Sequence, residues 1–592
     1  MNGTEVMLFA RTAARLRPGQ IAHRGRLRAQ RAALRRWPQA GRRVLSGPAP
    51  PSVSGWPAGY RPLDAQVPQT GPALSQLRAG WISLLGTTRE LGDWQHPDAP
   101  RLWRYHLHYW DWAWALAVHP DRTQARAVFA RLWRSWRDAC TYRHPDAWHP
   151  YPAALRAWSW CGLHAALVAG SSIERPFVAE LAAHAAFLRV HLESDVGGNH
   201  LVKDLKGLIG LAIFLADDRL LRRTLRRLTG QLAVQVLEDG GHYERAPAYH
   251  CQVLADLMDV ADLLKAGGEA APGDLGAVIE RMRRWLGAVV TTDGQVPLLN
   301  DGYPVAPGLT AMLRPAALPD DPLLILPDTG LVRATAGGWR LLADVGAPCP
   351  DELPAHAHAD SLGCLLHVNG SPLLVDTGTS TYEPGPVRDR ERSTSAHNTV
   401  TVDSTDSTEV WGAFRAARRA RVDDVSARAE SGGITVEGAH DGYRRLPGHP
   451  VHHRRWSLTA SGLDVEDLVT GRGRHQVTAR WHLAPGAAAQ LDGTTARITT
   501  SGQAFEVAIT ASSRPAVSVQ TRPVALGFGR TAPALVLVCS VDAALPVSIR
   551  ARWQHASRSG HGAGAEAGAR GVTLQHGARG PARRDGTRRV AF

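Results

Sequence analysis

Two histidines two residues apart, His356 and His358 in PAHAHADSLG, stand eighteen residues before Asp376 in LLVDTGT, and His397 follows in STSAHNTV. In an extended segment, residues two apart share a face, so this HxH pair would project together. Asn369-Gly370 lies between two apolar runs, a type I′ hairpin signal that folds the chain back and can carry Asp376 to His358. Imidazoles and a carboxylate converging on one β-face suit zinc, with water or another side chain in a fourth position. They equally suit a hydrogen-bonded loop without metal. A second group is DVGGNHLVKDLKG, where Asn199 and His200 open a predicted helix. A helix start offers free N–H groups and partial positive charge to an anion such as a carboxylate, or Asn199 is simply its cap. A third group, EDGGHYERAPAYHCQ, gathers Tyr243, Glu244, Arg245, Tyr249 and His250 between two helical blocks, as a site or as a solvated loop.

The elements that must position these residues change character along the chain. From about Leu77 to Leu313 the texture is helical. In NHLVKDLKGLIGLAIFLADD the residues Leu201, Leu205, Leu208, Ala212 and Leu215 recur at steps of four and three, one face of a helix. Six or more such blocks in succession predict a bundle, solenoid or toroid. After about residue 325 the period becomes two, as in LGCLLHVNGSPLLVD and PALVLVCSVD, which predicts an antiparallel all-β domain, a sandwich. The expected division is a basic arm and linker over 1–76, a helical domain over 77–325, a β-domain over 326–552, and a mobile Gly/Arg-rich tail over 553–592.

A chain of 592 residues is long enough for more than one core. Its net charge of +14 is concentrated at the ends. Residues 1–50 hold eleven Arg and one Glu, residues 553–592 hold seven Arg and two acids, and the stretch between them carries −1. A nucleic-acid partner is therefore not expected, and no recognition signature for one is present. Residues 11–37 read as a basic helix that could touch an acidic surface, or as a solvated arm packed by its few leucines. The six cysteines are scattered, with no CxxC pair, and are expected as buried thiols. No signal peptide and no transmembrane run is recognisable, so a cytoplasmic location is the default expectation, with export by another route left open. The GxSxG, GxxxxGK[ST] and HExxH patterns are missing.

Taken together, LWRYHLHYWDW, WHPYPAALRAWSW, GNHLVKDLKG, DGGHYERAPAYH, PLLNDG, HAHAD, VDTGTSTYE, RSTSAHNTV and STEVWGAFRAARRAR resemble the heparinase II/III family of polysaccharide lyases, heparinase- and alginate-lyase-like, from about Leu84 to Arg421. The resemblance implies a multidomain fold, an incomplete (α/α) toroid followed by an antiparallel β-sandwich. It implies β-elimination at a uronic acid, which needs the carboxylate beside C5 neutralised, a base for the C5 proton and an acid for the departing O4. By resemblance Asn199 neutralises the carboxylate, and His200 is a positioning residue or a base. Tyr249 is the acid, or acid and base together, and His356 completes the cleft from the β-domain. Tyr243 is the alternative tyrosine, and Tyr243, Glu244, Tyr151 and Arg156 are substrate-side or supporting groups. His358, Asp376 and His397 match a structural zinc site that would steady the loops around His356. No organic cofactor is implied.

Two features depart from the family pattern: degradative members are typically exported, and the helix start reads Gly-Asn-His where several lyases carry Asn-Asn-His. Both bear on substrate and location, and they suit members that make or trim surface polysaccharides. The expected activity is a lyase acting on an acidic, uronate-containing polysaccharide. The alternatives are a non-catalytic polysaccharide-binding or assembly protein and a metal-dependent hydrolase using the HxH pair.

Overall fold

The computed structural model describes residues 3–45, 53–66, 72–92 and 94–556. The expected tail from 557 onward and part of the linker fall outside the described residues. The helical half is an incomplete toroid whose centre is the helix Gly198–Phe214, packed against Pro150–Leu163, Glu174–His191, Asp218–Gln235 and Pro247–Gly267. Local chemistry sets the helix ends. Asp121 and Asp217 cap their helices by accepting the N–H groups of Gln124 (2.9 Å) and Leu220 (2.8 Å). Pro150 and Pro247 occupy first turns, where no N–H is needed.

The helix Gly198–Phe214 differs from its expected one-sided pattern. Leu201, Leu205, Leu208 and Ala212 are buried, but so are Val202, Ile209, Leu211 and Phe214 on other faces. Helices on several sides bury nearly its whole circumference. Gly207 allows the closest approach, since a Cβ there would lie 2.8 Å from the Ala154 carbonyl oxygen. Lys206, buried in this core, is neutralised by Asp256 (2.9 Å) and Asp259 (2.6 Å).

The last helix of this half is Pro307–Leu313, and the first strand of the other is Leu323–Leu326. Among the described residues three larger antiparallel sheets follow, with a two-stranded ribbon of Val410–Trp411 and Arg415–Ala416 beside them. A five-stranded sheet runs in chain order from Leu323–Leu326 to Ser371–Leu374. A four-stranded sheet orders Ala516–Gly527, Arg530–Ala544, Arg474–His482 and Val400–Val402. The bridge Leu374–Leu483 joins these two, and both face an eight-stranded sheet that begins at Val422–Glu430. Trp339, Trp456, Trp481 and Trp553, drawn from all three sheets, share the apolar interior, giving a β-sandwich. The hairpin turn has φ of 50° at Asn369 and 82° at Gly370, the left-handed pair a type I′ turn requires. The last strand, Val547–His555, runs past the expected domain end at 552.

All six cysteines are buried and free. The basic N-terminal segment, residues 3–45, forms three helices, Gly3–Ala13, Pro18–Arg36 and Pro38–Leu45, the first two separated where Pro18 cannot continue the first. Though mostly exposed, it is docked on both halves of the protein, with Leu27 and Leu45 buried and Gln20 bonded to Asp195 and Glu352.

Candidate active site

The site forms where the start of helix Gly198–Phe214, the turn before helix Pro247–Gly267 and the loop between strands Trp339–Asp344 and Cys364–Val368 meet. Gly197, with φ of 74°, precedes the helix, so Asn199 is not its cap. The side chain of Asn199 instead donates from Nδ2 to Glu244 Oε2 (2.9 Å), while its backbone N–H donates to Glu244 Oε1 (2.9 Å). The Gly198 N–H donates to the Tyr243 hydroxyl (2.9 Å). The expectation of N–H groups left free for a ligand is thus corrected at these two positions, because Glu244 and Tyr243 occupy them. Only glycine fits at 198: a Cβ would fall 1.7 Å from Glu244 Oε1 and 2.8 Å from Leu353 Cδ2. Although burial favours its neutral form, the Glu244 carboxyl lies below the usual carboxylate range, held there by His356, His242 and the bonds from Asn199.

His356 and His358 are not on a strand, as an extended HxH would be. They sit in a loop, and both turn onto one buried carboxylate, Asp301. His356 Nδ1 lies 2.9 Å from Asp301 Oδ2, and His358 Nε2 lies 2.9 Å from Asp301 Oδ1. Arg388 grips the same carboxylate with both terminal nitrogens, Nη2 at 2.8 Å. Burial opposes ionisation of Asp301, yet Arg388 and the two histidines keep it well below the ordinary range. The other nitrogen of His356, Nε2, is 3.5 Å from Glu244 Oε2, so each ring nitrogen faces a carboxylate.

Tyr249 stacks on His356, ring centroids 3.9 Å apart, and its hydroxyl is 2.6 Å from that of Tyr382. Burial pushes both phenols well above their usual value, so both keep their protons at neutral pH. From Tyr249 an aromatic and amide wall runs through Tyr303, Gln252 and Tyr151 to His200. Gln252 bonds Tyr303 and receives the Tyr151 hydroxyl at 3.4 Å, and the Tyr151 and His200 rings are 4.4 Å apart. Tyr105 and Tyr109 extend this wall on the toroid side. His200 Nδ1 is 3.2 Å from the buried Glu193 carboxylate. Burial works against its charge, but Glu193 raises the imidazole above its usual range.

Of the sequence-predicted residues, Asn199, Glu244, His356 and Tyr249 adjoin one another, Tyr243 braces the helix start, and His200 and Tyr151 form the adjacent wall. Arg156 does not belong to the site. It is wholly buried, its guanidinium 4.3 Å from the Trp136 ring centre and bonded to His184 and the carbonyls of Ala147 and His108. Its expected substrate contact is corrected to a structural role. Asp301, Arg388, Tyr382, Tyr303 and Glu193 were not anticipated. Asp301 and Tyr382 do stand in PLLNDG and VDTGTSTYE, two of the motifs that carried the family resemblance.

The expected zinc ligands lie together behind His356. His358 is neutral, its value pushed down to about 3 chiefly by burial, and its Nδ1 has no hydrogen-bond partner. Its ring is 5.3 Å from that of His397, whose Nδ1 is 2.7 Å from Asp376 Oδ2 and whose Nε2 is unpartnered. Neither carboxylate oxygen of buried Asp360 has a partner at normal hydrogen-bond geometry. The open Nδ1 of His358, the unpartnered Nε2 of His397 and the unpaired oxygens of Asp360 are a donor set that a divalent cation suits. His397, raised against burial to about 9 by Asp376, would give up a proton on binding. Asp301, bonded to the far nitrogen of His358, is the outer carboxylate such a ligand ordinarily has. A tighter cluster, His108, Cys140 and His144, is a poorer one, because both His144 nitrogens already serve the Trp94 carbonyl and the Ala147 N–H.

Comparison with known proteins agrees with this architecture. Residues 89–315 match the family model described as "Heparinase II/III N-terminus", and residues 319–561 match "Heparinase II/III-like, C-terminal". A crystal structure of heparinase III superposes with a TM-score of 0.67 at 16% identity, over 80% of each chain. The heparan sulfate lyase HepC of Pedobacter heparinus gives 0.58 at 15% identity, over 90% of this chain and 89% of that one. FtsZ-localized protein C of Caulobacter vibrioides is 27% identical over 298 residues, 46% of this chain and 50% of that protein. The chain thus spans about half the length of this curated relative.

Proposed function

The chain belongs to the heparinase II/III family of polysaccharide lyases, and on that footing we propose that it cleaves a uronate-containing acidic polysaccharide by β-elimination. The observation that carries this is the contact set of Asn199, Glu244, His356 and Tyr249, with Asn199 fixed by Glu244 and the Tyr249 phenol stacked on His356. Asn199 Nδ2 has a second hydrogen for the uronate carboxylate and the enolate that develops there, and His356 Nε2 would add an N–H only on turning from Glu244. His200, oriented by Glu193, takes the C5 proton. The C4–C5 double bond forms as the C4–O4 bond breaks, and Tyr249, kept protonated by burial, gives its proton to O4. The proton gained by His200 and the one lost by Tyr249 are restored through solvent.

His358, Asp376 and His397 would hold a structural zinc, with Asp360 beside them. The ion would fix the loop that carries His356 and takes no part in the elimination.

Absorbance of unsaturated uronyl ends, followed across a panel of uronate polymers, tests the proposal. Saturated products and loss of turnover on chelation would point to a metal-dependent hydrolase. A second reading, a polysaccharide-binding or assembly protein, is favoured by one observation: Asn199, Tyr249 and His356 are each less than a tenth exposed. Tight binding with no unsaturated product anywhere in the panel would establish it. Among the described residues no helix is long and apolar enough to cross a membrane. A cytoplasmic location is part of the proposal, and cell fractionation tests it.

A further inference from the structure

Residues 3–45 precede both matched family segments, yet they bridge the two loops that flank the site. Gln20 donates from one amide nitrogen toward the carbonyls of Asp195 in the toroid (3.3 Å) and Glu352 in the sandwich (3.4 Å). Asp195 stands four residues before Asn199, and Glu352 four before His356. The Leu353 side chain closes against Gly198, so the arm ties together the two loops that carry the reacting groups.

The two ends of the arm are attached differently. Toward the toroid the attachment is mainly apolar, with Leu27 and Leu45 buried and Leu34 packed on the helical core, alongside the ion pair of Arg24 with Asp195 (3.4 Å). Toward the sandwich it is largely ionic. Arg11 lies 3.1 Å from Glu409, Arg15 3.3 Å from Asp351, and Arg17 pairs with Glu352. Thr12 adds two bonds, accepting from Trp411 Nε1 at 3.0 Å and donating to the Ala416 carbonyl at 3.4 Å. Arg15, Arg17 and Asp351 are exposed, so their pairs are individually weak and screened by salt. The body of the protein is nearly neutral, so Arg15 and Arg17, exposed beside the loop that carries His356, are positive charge that a polyanion can meet there.

We propose that this arm is a clasp released by polyanion. The carboxylates or sulfates of an acidic polysaccharide take Arg11, Arg15 and Arg17 from Glu409, Asp351 and Glu352. The sandwich loop is then freed and the cleft opens while the apolar end stays docked. With the arm seated, Asn199, Tyr249 and His356 are buried while His200 is part-exposed, so an opening would let a polymer reach all four. The proposal rests on the substrate being an acidic polymer, and its test does not require turnover.

Hydrogen exchange on the full chain, at fixed ionic strength, compares polygalacturonate with neutral dextran. Polygalacturonate should raise exchange in residues 3–17 and 351–356 at least tenfold, leave 27–45 protected, and have no counterpart with dextran. The variant Arg11→Gln/Arg15→Gln/Arg17→Gln should show the fast exchange with no polymer present. Continued protection of 3–17 at every polygalacturonate concentration overturns the clasp, as does exchange of 27–45 in step with 3–17 or an equal response to dextran. If that variant does not fold, the polymer comparison on the unaltered chain decides alone. An exchange response without unsaturated product keeps the clasp and removes the lyase, and product without an exchange response does the reverse.

Discussion

Asp301 Oδ2 lies 2.9 Å from His356 Nδ1, and this contact between a toroid-side loop and a sandwich loop decides which way the ring faces. With Nδ1 turned onto Asp301, Nε2 is presented to Glu244 and the ring face to Tyr249. The other carboxylate oxygen holds His358, and Arg388 spans both. One buried carboxylate therefore orients a cleft histidine and a proposed zinc ligand at once.

Removing that carboxylate should cost both stability and activity. Asp301→Ala strands the buried Arg388 guanidinium, and breaking a buried pair in this way costs about 3–5 kcal/mol. A clear fall in thermal midpoint by circular dichroism is expected. Asp301→Asn keeps the shape, loses the charge and should be milder in stability while still depressing turnover. A melting curve for Asp301→Ala that overlays the unaltered protein would sink the idea of a shared anchor.

Tyr249→Phe removes the proton offered to O4 and leaves the stacked ring. Turnover should drop by about 10²- to 10⁴-fold, the usual range for a positioned acid, with little change in melting. Tyr382→Phe removes only the hydroxyl that partners it, so a smaller loss is expected. Full activity in Tyr249→Phe would assign the acid elsewhere.

The fold was legible because periodicity is a local property. The switch from steps of three and four to alternation near residue 325 and the Asn369-Gly370 turn both appear as read. What the sequence concealed is tertiary. Nothing local says that Asp301 receives two histidines from a loop some fifty residues on, or that Glu244 reaches back to occupy the helix start at Asn199. Arg156 was misplaced for a similar reason. The family resemblance made it a substrate-side or supporting group, but here Trp136, Trp148 and Trp160 enclose it and backbone carbonyls use its donors. Arg156→Lys cannot reproduce that fork, so it should lower the melting temperature and spare the KM of any fragment that still folds the site.

Metal content tests the group behind His356. Purified protein should carry about one zinc per chain by elemental analysis, and His358→Ala/His397→Ala should carry none. Stripping the ion with dipicolinate should lower the thermal midpoint, because His397, Asp376 and Asp360 are buried and lose their shared counter-charge. Turnover should fall only as far as the His356 loop loosens. Zinc-free protein with unchanged melting would leave the three residues as a hydrogen-bonded network.

The pairing of His200 with Glu193 fixes the direction of the pH dependence. A base works in its unprotonated form, and Glu193 raises the His200 value. The limiting slope of kcat/KM should therefore be a tenfold rise per pH unit below that raised value, flattening above it. A falling limb from Tyr249 is not expected near neutrality, since burial holds its phenol far to the alkaline side. Glu193→Gln removes the charge that favours the imidazolium, so the rising limb should move to lower pH while the plateau drops through lost orientation. If the limb stays where it is in Glu193→Gln, the titrating base is not His200; if it vanishes in His200→Ala while slow turnover persists, the assignment holds.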